Sequence, residues 1–199
     1  MLDLVKKILE SDQLIVYPTS TLPGLGCLPT KEGLDALFEI KQREKSKPVS
    51  LGVYELSQAS DIVEIPVFAQ DFLNSFPKGS ITMVLPALQP MDERLGGEKV
   101  AIRVFAHPAA SSIAKEYGPI TATSANKAGE TPLNNTLSAA KSLGLSEENV
   151  IVGDCPGGHG STLVNLEKTH FEDSGWSLSI MREGVVPRED VVGCWKTRV

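Results

Sequence analysis

The stretch from Leu14 to Cys27, LIVYPTSTLPGLGC, constrains the fold more than any other part of the chain. Leu14 to Tyr17 have the length and apolar character of a buried strand. Pro18 ends it, because proline has no amide hydrogen for a sheet ladder. Three hydroxyl residues follow, Thr19, Ser20 and Thr21, and Gly24 and Gly26 then read as a Gly-x-Gly turn. A strand that runs out into hydroxyls and glycines brings small hydrogen-bonding groups to the end of a sheet, where backbone can approach a ligand closely. An ordinary strand and loop would carry the same spacing, so the stretch alone decides nothing about function.

The rest of the chain alternates helix and strand signals. Leu2, Val5, Ile8 and Leu9 recur at helical spacing over residues 2–10. Thr30 is placed to cap a helix that carries Leu34, Leu37, Phe38 and Ile40 on one face and reaches Lys41. Further helices are expected over 66–75, from Pro108 to Tyr117, and over 138–143. Strands are expected over 49–54, 81–85, 100–105, 120–123, 150–152, 162–166 and 178–181. This order favours an α/β or α+β fold with a single twisted mixed sheet flanked by helices, and with no internal repeat or linker it reads as one domain over residues 1–199.

Composition excludes several classes. With 41% apolar and 22% charged residues the chain is globular rather than disordered. Its net charge of −6 is wrong for a general nucleic-acid binder, so any such contact needs a local basic patch. No apolar run approaches the roughly 20 residues that span a bilayer, and the N-terminus lacks the continuous apolar stretch of a signal peptide. Cys27, Cys155 and Cys194 are odd in number and far apart, which fits reduced thiols in the cytoplasm better than disulfides or a zinc site.

Against this acidic background, the segment KQREKSKP concentrates Lys41, Arg43, Lys45 and Lys47. Such a cluster either complements a helix C-terminus or grips phosphate and carboxylate groups, with arginine able to do so bidentately. Arg103 interrupts the apolar strand VAIRVF, sharing a face with Ala101 and Phe105, and there a cation needs an anion or a solvated edge. The turns SAN (Ser124 to Asn126) and GGHGST (Gly157 to Thr162) lie beside strands, where backbone amides can form anion-binding nests. His107 and His159 have no nucleophile partner, and no Walker-type sequence is present.

In this order the motifs resemble those of the YrdC-type threonylcarbamoyl-AMP synthase family. YPTSTLPGLG resembles its opening signature and KQR with Lys47-Pro48 its basic segment, while VAIRVFAHP, TSAN, GGHGST and IMREG match later landmarks. The resemblance covers residues 14–184 and implies a YrdC-like fold with a concave basic cavity. It implies an enzyme that makes L-threonylcarbamoyl-adenylate and pyrophosphate from L-threonine, bicarbonate or CO2, and ATP. The product feeds threonylcarbamoyladenosine modification of tRNA, and a separate transferase complex is the downstream partner. By the same resemblance Lys41, Arg43 and Lys47 are catalytic and face ATP phosphates or the carbamate, and Thr21 and Arg103 hold threonine. Thr82, Ser124, Asn126, Ser161 and Arg182 complete the ATP side. Mg2+ is expected to be carried with ATP, and no resident metal site is expected. The resemblance leaves room for a tRNA or double-stranded RNA contact and implies no membrane.

Four positions depart from the family pattern. Pro23 stands for a usual Tyr at the threonine pocket, Ser80 for a Pro and Asn165 for a common Asp, and Thr131-Pro132 do not reproduce a Pro-Ser order. The rival readings are a non-catalytic RNA-binding or ribosome-associated protein using the same cavity, and a carbamoyl-adenylate former of the hydrogenase-maturation type.

Overall fold

The computed structural model describes the backbone of residues 2–11 and 13–198 and the side chains of 5–11 and 13–197. Helix α1 (Leu2–Glu10) buries Val5, Ile8 and Leu9 as the spacing requires, while the expected contact of Leu2 lies outside the described side chains. Strand β1 (Ile15–Tyr17) follows, and β2 (Gly24–Gly26) runs antiparallel to it. The Gly-x-Gly segment is therefore a strand rather than a turn. Its glycines are there for space: a Cβ on Gly24 would lie 2.6 Å from the Tyr17 ring, and one on Gly26 would lie 2.8 Å from it. The reversal is made instead by residues 18–23.

Helix α2 (Lys31–Lys41) is capped by Thr30, whose hydroxyl accepts from the Gly33 amide at 3.1 Å. It is followed by β3 (Ser50–Val53), α3 (Ala69–Asn74), β4 (Ile81–Pro86), β5 (Lys99–Val104), α4 (Pro108–Tyr117) and β6 (Ile120–Ser124). His107 caps α4, accepting from the Ala109 amide at 3.2 Å. Helix α5 (Thr136–Ser142), β7 (Thr162–Lys168), β8 (Trp176–Arg182) and α6 (Arg188–Arg198) complete the chain.

The strands form one open mixed sheet in the order β1-β2-β6-β3-β5-β4-β7-β8, with parallel pairs only at β3/β5 and β4/β7. Two further expectations need correction, and one helix escaped the sequence reading. Residues 150–152 make a single bridge to Val16, because the next residue, Gly153, gives its amide and carbonyl to Thr136 at the start of α5 instead of to the sheet. Helix α3 begins at Ala69, three residues after Pro66. Helix α6 was not foreseen.

The two sheet faces differ in kind. One buries Val16, Leu25, Leu51, Val53, Met83, Leu85, Ile102 and Val164 in the main core, against apolar residues of α2, α3, α5 and α6. On the other face a smaller cluster joins Val5, Ile8 and Leu9 of α1 and Ile113 and Ala114 of α4 to Ile15, Tyr17, Phe105 and Ile120. Tyr17 and Phe105 meet edge to face at 5.7 Å, and Gly52 has no Cβ because the Phe105 ring occupies its place, 1.9 Å from where that atom would be. This second cluster covers only part of its face. Next to it, pairing sets Ser50 against Ala122 and Gly24 against Ser124, while Val84 adjoins both Ala101 and Asn165. Those small and polar residues leave room for a cavity.

Candidate active site

The cavity on that face has a volume of about 880 Å3. The loop after β1 contributes Thr19, Thr21 and Leu22 to its lining. The Thr19 hydroxyl donates to Leu22 O at 2.7 Å and accepts from the Thr21 amide at 3.1 Å, so Thr19 is used up in folding the loop. That fold leaves the Thr21 hydroxyl to accept from Arg103 Nη2 at 2.9 Å. Arg103 also donates Nε to Gly79 O at 3.0 Å. Burial holds the Arg103 guanidinium below its usual pKa, with the nearby Tyr17 phenol opposing that shift and the Arg182 charge adding to it.

Two more guanidinium groups face the same space. Arg43 lies on the loop after α2 and donates to Lys47 O at 2.5 Å and Pro48 O at 3.0 Å. Burial, and then the Arg182 charge, push its pKa down. Arg182, at the end of β8, donates Nη2 to Ser161 O at 2.9 Å. Among the described residues, none of these three arginines pairs with a carboxylate. Carbonyl and hydroxyl dipoles solvate each cation without neutralising it, so the positive potential stays available to an anion.

Beside them Thr82 on β4 and Ser161 before β7 are both buried, and their hydroxyls meet at 2.6 Å. The same end of β7 is clasped to the segment after β8 by Thr162, which donates its hydroxyl to Val186 O at 2.7 Å and accepts from the Gly184 amide at 2.9 Å. The GGHGST and IMREG segments are thus one structural unit.

The structure brings Thr21, Arg43, Lys47, Thr82, Arg103, Ser124, Ser161 and Arg182 onto one cavity wall. Lys47 is exposed there and pairs with Glu44 at 2.8 Å. Lys41 and Asn126 are not on that wall. Lys41 is 1% exposed and donates Nζ to Ser124 O at 2.5 Å and Asn126 O at 2.6 Å. Burial, reinforced by the Arg43 charge, pushes its ammonium down to about 8. Asn126 turns its Nδ2 back to Lys127 O at 2.8 Å and Glu130 O at 2.7 Å. Pro23 is buried off the cavity lining, with its carbonyl accepting from the Ala125 amide at 2.8 Å. Sequence reasoning missed Ser179 and Met181, which also line the cavity; their i, i+2 spacing on β8 was the available signal.

A model of the Sua5/YciO/YrdC family, described as telomere recombination, matches residues 7–184. The chain belongs to the Sua5/YciO/YrdC family. The threonylcarbamoyl-AMP synthase of Xanthomonas oryzae pv. oryzae is 33% identical over 161 residues, covering 77% of this chain and 86% of the relative. The protein of the same name from Vibrio vulnificus is 31% identical over 158 residues, covering 75% and 84%. The relatives thus carry the name of a nucleotidyl-transferring enzyme. The structure of P. abyssi Sua5 complexed with L-threonine superimposes with a TM-score of 0.80 at 25% identity, over 96% of this chain and 56% of that one. This chain therefore spans little more than half the length of that Sua5 protein. E. coli YciO shares the fold, with a TM-score of 0.73 at 21% identity over 94% of this chain and 90% of its own.

Proposed function

We propose that this Sua5/YciO/YrdC-family chain is a threonylcarbamoyl-AMP synthase that converts L-threonine, bicarbonate or CO2, and ATP into L-threonylcarbamoyl-adenylate and pyrophosphate. The observation that carries the reading is the convergence of Arg43, Arg103 and Arg182 on one cavity without carboxylate partners, in an acidic protein. The names of its relatives and the L-threonine complex of P. abyssi Sua5 support it.

In the proposed reaction the threonine amine forms a bond to the carbon of CO2 and gives up a proton, yielding a carbamate. A carbamate oxygen then attacks the α-phosphorus of ATP, and the bond to the bridging oxygen breaks to release pyrophosphate. Both partners are anions, so the site's task is to neutralise and align them rather than to supply a strong base. Thr21 and Arg103 hold the threonine hydroxyl and carboxylate. Arg43 and Lys47 face the phosphates and the carbamate, and Thr82, Ser124, Ser161 and Arg182 hold the nucleotide. Among the described residues no three His, Cys, Asp or Glu side chains converge as metal ligands. Mg2+ would arrive with the triphosphate, and a cation carried that way needs few protein ligands. The adenylate then serves threonylcarbamoyladenosine formation on tRNA through a separate transferase, in the cytoplasm.

The test is pyrophosphate release by the purified chain with ATP, Mg2+ and bicarbonate, with and without L-threonine, using L-serine as control. Threonine-dependent release is expected, with threonine preferred over serine. ATP binding without release for either amino acid would overturn the reading and favour a non-catalytic, RNA-binding role.

A further inference from the structure

Lys41 and Arg43 belong to one Lys-x-Arg triplet, yet the structure sends them to different places. Between them Gln42 adopts a left-handed conformation at φ 50° and ψ 44°, the only non-glycine positive φ among the described residues. The Arg43 amide closes that corner on Phe38 O at 3.0 Å. The corner puts Arg43 on the cavity wall and leaves Lys41 behind it, where Nζ donates to Ser124 O and Asn126 O. In the opposite sense, Lys41 O accepts from the Ala128 amide at 2.9 Å. One residue thus grips the 124–128 turn at three points. The ammonium also has no carboxylate partner among the described residues. Two carbonyl dipoles aimed at one point repel each other unless a cation stands between them, and here the cation is Lys41.

We infer that Lys41 is a positioning residue, whose ammonium clamps the Ser124–Asn126 turn to the end of α2 and so fixes Ser124 in the cavity lining that it shares with Arg43. The clamp stands on the geometry alone; its effect on nucleotide binding rests on the function proposed above.

Two variants test it. Lys41→Met keeps the length and removes the donors, whereas Lys41→Arg keeps charge and donors in a different shape. Lys41→Met should speed amide exchange at Ala125 and Ala128 about tenfold or more. It should weaken a non-hydrolysable ATP analogue about ten- to a hundredfold, the loss expected for one or two charge-assisted hydrogen bonds. L-threonine affinity should stay within about threefold, and Lys41→Arg should restore part of the analogue binding. Unchanged exchange at the turn would overturn the clamp. Faster exchange with unchanged analogue binding would leave the clamp standing and remove the proposed nucleotide role. Should Lys41→Met fail to fold, the Lys41 Nζ resonance of the wild-type protein answers the same question. A clamp keeps that resonance in place when the analogue is added, whereas a direct phosphate contact shifts it as strongly as Arg43 Nε, and that would overturn the inference.

Discussion

Arg103→Met separates binding from folding, because the wild-type guanidinium is held without an ion pair. Its partners are Gly79 O, the Thr21 hydroxyl and, at 3.5 Å, the Ser20 hydroxyl. If it grips the substrate carboxylate, methionine removes two charge-assisted hydrogen bonds of about 1.5–3 kcal/mol each. Threonine binding then weakens by about 3–6 kcal/mol, roughly a hundredfold to ten-thousandfold. For the fold the terms nearly cancel. Methionine loses the bonds to Gly79 and Thr21 but relieves the desolvation of an unpaired cation and its repulsion by Arg182. A net change within about 1 kcal/mol corresponds to roughly 2–4 °C in a chain of this size. Calorimetric titration with L-threonine and a thermal melt measure the two quantities on one preparation. Threonine affinity within about threefold of wild type would refute the carboxylate role. A melting point lower by about 10 °C or more would make Arg103 a strut of the Ser20 and Gly79 loops instead.

Three further outcomes are expected. Under the proposed function, Arg43→Ala would remove one or two phosphate contacts and should cut pyrophosphate release about ten- to a thousandfold, and steady-state assays should show the loss at saturating threonine. Gly52→Ala places a Cβ 1.9 Å from Phe105 Cζ and must displace a ring packed on Tyr17. Thermal melts should show a cost of about 1–3 kcal/mol, with partial recovery in Gly52→Ala/Phe105→Leu. On the acid side, the buried Arg94 guanidinium straps Asp35 of α2 to Asp92, and its hydrogen bonds hold the Asp92 carboxyl down to about 2. A depressed carboxyl pKa stabilises the fold fully above the ordinary aspartate range and loses that contribution as pH falls. Melting temperature should therefore drop between about pH 4 and pH 2 in wild type, and less steeply in Asp92→Asn; equal slopes would rule out this linkage.

What the sequence disclosed depended on whether a signal was local. The Thr30 cap, the Pro108 start of α4 and the apolar stripe Leu34, Leu37, Phe38 each act within a turn or two, and each appears in the structure. Gly24 and Gly26 misled because a glycine that frees backbone dihedrals and one that makes way for a distant ring look alike in sequence; the ring of Tyr17 is found only after β1 and β2 pair. Helix α6 escaped notice because its anchoring is tertiary. Among its described side chains only Val191 and Trp195 are buried, and Trp195 is fixed by edge-to-face contacts with Phe68 at 5.3 Å and Phe72 at 6.1 Å. The site followed the same division. Residue type and order placed eight expected residues on one wall, but that Arg43 reaches it while Lys41 stays behind is set by the left-handed corner at Gln42, and glutamine carries no strong signal for that conformation.

The local charge arrangement also explains how an acidic chain can hold a cavity of positive potential. A cation fixed by a carboxylate would add little field, and binding a phosphate would first require breaking that pair. Here Arg43, Arg103 and Arg182 are fixed by carbonyls and hydroxyls of the loops they organise, so orientation comes from dipoles while the full charge remains. Among the cations that line the cavity, carboxylates pair only with Lys47 and Lys99 in the described residues, and both of these are exposed to solvent. The Arg182 charge repels both Arg43 and Arg103. That same repulsion is relieved when an anion enters, which makes binding stronger than three isolated contacts would provide.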